Sequence, residues 1–141
     1  MSKRYYIAGP MRGRRGFNFP NFLATGQRVR LMGHEIFNPA EHDIEKHGEQ
    51  IYRDKDGNLL QGNLDEIAHL GFDLRHTLGI DTAWICENAD GIVVLPGWDR
   101  SSGAKAEVAL ALALGLDILR VDYGPDGWFL DPVPAQIHAA S

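Results

Sequence analysis

The segment SSGAKAEVALALALG, residues 101–115, is an aliphatic helix in outline with one carboxylate in it. From 102 to 114 its only charged residues are Lys105 and Glu107; at 100° per residue they point about 200° apart and cannot share a solvent face. Glu107 shares a stripe with Gly103, Leu110, Ala111 and Leu114, where nothing else is polar. The carboxylate either snorkels to the helix edge, stands exposed in the second turn, or lines a pocket. In a pocket it has the makings of a nucleophile, which needs a partner that acts as acid and a group that holds it in position. Asp81, in GIDTAWICENAD, lies on the element feeding the apolar run GIVVLP, and Tyr6 lies near the carboxyl end of the first strand. Taken alone, Asp81 also reads as a helix cap and Tyr6 as a core tyrosine. Asp90 reads as a helix end or a strand start.

Two loops have the makings of an anion site. In GPMRGRRGFN, residues 9–18, Gly9, Gly13 and Gly16 surround Arg12, Arg14 and Arg15, so backbone amides can approach an anion while guanidiniums donate in pairs. In GWDRSSGAKAE, Ser102 is the expected N-cap and Gly103 lies in the first turn, leaving helix amides free at the positive end of the dipole. Together they describe a pocket for a phosphate or another small anion. Neither loop is a P-loop or a G-x-G-x-x-G dinucleotide fingerprint. Glycines that merely shape turns, flanked by solvated arginines, are the plainer reading of either loop alone.

These residues need a scaffold, and the chain supplies one. Residues 4–8, RYYIA, read as a buried strand stopped by Gly9-Pro10. Apolar positions from Pro20 to Met32 recur at helical spacing, with Gly33 as C-cap. Residues 34–37 read as a second strand ended by the Asn-Pro turn. The polar stretch from about Glu41 to Asn63, with a turn at Asp56-Gly57-Asn58, reads as a lid or excursion, placed at 43–63. Residues 64–88 carry one or two helices interrupted by glycines at 71 and 79. Residues 91–96 are a central strand buried on both faces, 102–114 a helix, and 117–122 a strand. The tail from Gly124 reads as loop, with a short final helix. Strands alternating with helices predict one α/β domain over 1–141, a flavodoxin/Rossmann-like three-layer sandwich with a parallel sheet of about five strands. In such sheets ligands bind outside the carboxyl ends of the strands, where both loops fall.

Composition narrows the function. A chain of 141 residues, 44% hydrophobic and 23% charged, has the makeup of one globular domain. A net charge of −5 argues against a nucleic acid polymer as partner while leaving small anionic ligands open. The single Cys86 has no internal disulfide partner, and the N-terminus lacks the apolar run of a signal peptide, which predicts a cytoplasmic protein with no membrane attachment. Six scattered histidines, with only His42 and His47 near one another, indicate no metal.

The stretches YIAGPMRG, NFPNF, GHEIFNPAEH, DTAWICENADGIVVLPGW and SSGAKAEVALALALG resemble the nucleoside 2-deoxyribosyltransferase-like superfamily, in its DUF4406 branch, over residues 5–42 and 81–121. The resemblance implies that Glu107, four residues after Gly103, attacks C1′ of a sugar; that Tyr6, before Gly9-Pro10, orients it; and that Asp81 contacts or protonates the base. The spacing from Asp81 to the Ala-Asp pair is one residue longer than in the deoxyribosyltransferases. The arginine loop is similar to that of deoxynucleoside 5′-monophosphate N-glycosidases, which implies phosphate binding by Arg12, Gly13, Ser102 and Gly103, with Gly9 and Met11 beside them. Trp98 either stacks on the base or packs on the lid.

The expected chemistry is cleavage of the base–sugar bond of a (deoxy)nucleoside 5′-monophosphate, or 2′-deoxyribosyl transfer between bases, with no cofactor and no metal. The resemblance also implies a homo-oligomer, a dimer or higher. Two rivals are a ribonucleotide phosphoribohydrolase of the lysine-decarboxylase-like type, whose paired glycines PGWDRSSGAKAE lacks, and a non-catalytic nucleotide-binding module.

Overall fold

The computed structural model describes residues 2–124 and 127–132. Strand β1 (Arg4–Ala8) is buried after its first residue, because it has a strand on either edge and helices over both faces. Its alternation splits the core, with Tyr5 and Ile7 in one layer and Tyr6 and Ala8 in the other. Strand β3 (Gly91–Val94) repeats the pattern, Val93 joining the first layer and Ile92 and Val94 the second. Helix α1 (Phe19–Leu31) covers the first layer through Phe22 and Val29, and α2 (Pro39–His47) through Ala40 and Ile44. Helix α3 (Leu74–Asn88) covers the second through Ile85, and α4 (Ser102–Ala113) through Ala104, Val108 and Ala111.

Strand β2 (Glu35–Phe37) pairs parallel with β1, and β4 (Asp117–Gly124) parallel with β3. Strand β5 (Gly127–Pro132) closes the edge antiparallel to β4, giving a five-stranded sheet in the order β2-β1-β3-β4-β5. This is the flavodoxin-like order of a Rossmann-like sandwich, with its switch point between β1 and β3. The fifth strand corrects two expectations: the sheet is mostly rather than wholly parallel, and the tail carries a strand over Gly127–Pro132. The Gly-Pro-Asp-Gly run favoured a loop, yet WFLDP beyond it pairs along β4. The expected final helix lies outside the described residues. Among these residues no helix is long and apolar enough to cross a membrane.

The expected lid holds a helix and part of the core. Asn38 caps α2, its side-chain oxygen accepting the Ala40 amide at 3.1 Å while Nδ2 donates to the Phe22 carbonyl at 2.8 Å. The turn at Asp56-Gly57-Asn58 is present: Asp54 Oδ1 accepts the amides of Asp56 and Asn58, each at 2.9 Å, and Arg53 bridges to Leu59. Ile51 and Tyr52 are buried, and Tyr52 stacks on Phe19 with centroids 5.2 Å apart. The apolar positions that anchor this stretch are sparse and without period, so the sequence reads as polar. Residues 64–88 form two helices, a 3-10 helix at Leu64–Leu70 and then α3, separated at Gly71 with its left-handed φ of 74°.

Candidate active site

Beneath the β1/β3 switch point, the Tyr6 hydroxyl donates a short hydrogen bond to Glu107 Oε2. Tyr6 reaches it from the second face of β1, and Glu107 from the second turn of α4. Glu107 is 6% exposed, so neither the solvated nor the snorkelling reading holds. Aromatic packing holds the phenol: Tyr6 stacks on Phe37 at 5.8 Å, and Phe37 meets Trp84 at a tilt at 5.1 Å. Asp81, also 6% exposed, sits mid-helix in α3, and the α3 cap is Asp73. Asp81 lies close enough to feel the Tyr6 hydroxyl, but that proton goes to Glu107, and Asp81 Oδ1 is buried without a partner. Asp90 is elsewhere, accepting the Arg4 amide at 2.8 Å.

Burial dominates the protonation of this cluster. It pushes Glu107 up to about 8, against the pull of the Tyr6 hydrogen bond and aided by the Asp81 charge. It pushes Asp81 up to about 6, against the Tyr6 hydroxyl. Burial and the neighbouring Glu107 and Asp81 charges hold the Tyr6 phenol well above its ordinary value, so it remains a donor.

A cavity of about 470 Å³ opens above these groups, within the usual range for small-ligand pockets. Tyr6, Gly9, Met11, Arg12, Asp81, Ser102, Gly103 and Glu107 all line it, so eight of the ten residues singled out in the sequence converge. Gly13 and Trp98 do not. The Gly13 amide is committed to the Gly62 carbonyl at 2.9 Å and is not free for an anion. Trp98 lies outside this lining, in a shallow depression with Pro96, Arg120 and Asp122. Gly9 serves packing as well, because a Cβ there would come within 2.8 Å of Leu95. The α4 cap is Ser101, not Ser102: its backbone is extended and its Oγ accepts the Ala104 amide at 3.3 Å. Two adjacent serines both fit chemically, and only backbone geometry chooses between them.

The mouth carries more positive charge than the sequence reading assigned. Arg14 and Arg100 line it with Arg12, beside the amino end of α4. No carboxylate among the described residues pairs with any of the three; the ion pairs are Arg4 with Asp90, Arg30 with Glu41, and Arg120 with Asp122. Arg14 packs against Gly97, where a Cβ would lie 2.4 Å from its guanidinium. Asp43, which the sequence reading also missed, is 4% exposed and lines the cavity from α2. Pro39 and Asp43 are four apart and both reach the cavity, a signal that recognising a helix at 39–47 would have supplied. Among the described residues no group of three or more His, Cys, Asp or Glu side chains is placed to hold a metal ion.

A family model described as a domain of unknown function, DUF4406, matches residues 3–120. The chain belongs to the DUF4406 family. The match spans every residue that lines the cavity of this DUF4406 domain, and ends within β4, leaving β5 beyond it. No curated protein matches the chain. The arrangement combines a tyrosine-held carboxyl, a second buried carboxyl that shares a proton with it near neutral pH, and a cationic rim. These are the parts needed to cleave a bond to a carbon that becomes cationic while its leaving group needs a proton.

Proposed function

We propose that this protein cleaves the N-glycosidic bond of (deoxy)nucleoside 5′-monophosphates, as its resemblance to the nucleoside 2-deoxyribosyltransferase-like superfamily implies. The observation that carries the reading is the Tyr6–Glu107 hydrogen bond, buried under a cavity whose rim is cationic. Arg12, Arg14, Arg100 and the first turn of α4 bind the phosphate and set the sugar over Glu107.

The ionised Glu107 carboxylate attacks C1′; the C1′–N bond breaks, its electron pair passes into the base, and a ring nitrogen of the base takes the proton from Asp81. The glycosyl ester on Glu107 is then opened by water, whose proton returns to Asp81, restoring the site and leaving the sugar phosphate with retained configuration. A free base in place of water gives transfer.

Incubation with a panel of ribo- and deoxyribonucleoside monophosphates and the matching nucleosides, followed by chromatography for free base, tests the proposal. Base release from monophosphates is expected, and adding a second free base distinguishes transfer by the new nucleotide formed. Glu107→Gln should lower turnover by at least about a thousandfold with the fold intact by circular dichroism. Undiminished activity in that variant removes the nucleophile, and no free base from any substrate removes the reaction.

A further inference from the structure

Three carboxylic acids are buried among the described residues, and all line the same cavity. The proposed mechanism uses Glu107 and Asp81; Asp43 is left over. It reaches the cavity from α2, whose start is fixed by the Asn38 cap and Pro39, while the next residue on that helix, Ile44, packs into the core. No hydrogen bond is among the influences on the Asp43 carboxyl, which faces the cavity. Burial, then the Asp81 charge, pushes Asp43 up to about 7, with Lys46 opposing. A buried polar group with unmet hydrogen-bonding capacity costs stability. Here the orphaned Oδ1 of Asp81 and the Asp43 carboxyl face one cavity from two different helices.

A neighbouring pair of carboxyls holding one proton between them offers several acceptor oxygens and a single donor. Its complement is an edge that presents an N–H donor beside a ring nitrogen acceptor. Cytosine and adenine have that edge; uracil and hypoxanthine put a carbonyl where the amino group would be. We propose that Asp43 determines base specificity by accepting the exocyclic N–H of an amino-bearing base held over Asp81, so that the substrates are aminopyrimidine or aminopurine nucleotides and not their oxo counterparts. This rests on the reading of the site as a nucleotide N-glycosidase.

The test uses pairs that differ only at that group: CMP against UMP, dCMP against dUMP, and dAMP against dIMP. Free-base release is measured as kcat/KM with the wild-type protein, and binding by calorimetry with Glu107→Gln, which needs no turnover. Within at least one pair the amino member should be favoured about tenfold or more, because a site built around a hydrogen bond rejects the analogue that leaves its group unpaired. Asp43→Asn, which can turn its amide N–H toward a carbonyl, should erase or invert that preference. Asp43→Ser serves as a second variant and should erase it without inverting it. Equal values within every pair, in both measurements, overturn the proposal while leaving base release intact. A preference that survives both Asp43 variants overturns the assignment to Asp43. Selective binding without base release from any nucleotide sinks the glycosidase reading and supports the Asp43 reading; neither binding nor release sinks both.

Discussion

Glu107 and Asp81 have to be in opposite protonation states for the proposed reaction, and they lie in each other's field, so their titrations belong to the pair. Between about 6 and about 8 the pair holds one proton, which rests mainly on Glu107 in the free protein, so the reactive form, with Glu107 ionised and Asp81 protonated, is the minor arrangement that bound substrate has to favour. Below that window both are protonated and the nucleophile is lost; above it both are ionised and the base leaves without a proton. A bell-shaped kcat/KM with limbs near these values is expected from a pH–rate profile, and a flat profile across that range would count against the pair. The same burial has a stability signature. An unfolded Glu titrates near 4.5 and the folded Glu107 near about 8, so wild-type stability falls as pH rises through that interval. Glu107→Gln removes this titration and keeps an oxygen for the Tyr6 hydroxyl. It should unfold at a higher denaturant concentration than wild type at pH 8, by up to a few kcal/mol, and show little gain at pH 4.

At the scale of elements, the rim is built by two pieces that meet only in the fold: the arginine loop after β1 and the amino end of α4. Arg12→Ala should weaken phosphate-bearing ligands about tenfold or more while leaving nucleosides nearly unaffected, measured by calorimetry. Equal losses for both ligand types would remove the phosphate contact. Glu107 was legible in the sequence because a lone acid in an aliphatic stripe is anomalous on its own terms. Tyr6 and Asp81 were legible as candidates through their places on β1 and α3, and the resemblance assigned their roles. Asp43 was not legible, because α2 opens with Asn-Pro and continues in polar residues, and its helical period shows only once the cap is recognised. Gly13 and Trp98 fall outside the lining, because a glycine amide or an indole beside a pocket still has to be aimed at it, and aim depends on partners remote in sequence. For Gly13 that partner is Gly62.

At the scale of the molecule, the layered architecture followed from strands and helices alternating along the chain, and the four parallel strands lie where their apolar runs placed them. The antiparallel edge and the buried excursion did not follow, since an edge strand and a loosely patterned segment carry weak periodicity. The excursion is nonetheless bound to the arginine loop, through the Gly13 amide on Gly62 and the Gly16 amide on Leu60 at 2.6 Å. A Cβ on Gly62 would stand 2.2 Å from the Arg14 carbonyl oxygen, at a left-handed φ of 98°, whereas Gly57, with φ 84°, has open space. Gly62→Ala is therefore expected to cost about 2 kcal/mol or more in denaturant unfolding, and Gly57→Ala about 1. Similar losses at both positions would mean the seam is slack.

That seam separates two inheritances within one chain. The reacting groups come from β1, α3 and α4, while the arginine loop of the rim is braced by a hairpin some forty-five residues downstream whose residues 53–62 do not line the cavity. Sequence drift in the hairpin can thus re-tailor which guests are admitted, and the machinery that breaks the bond stays as it was.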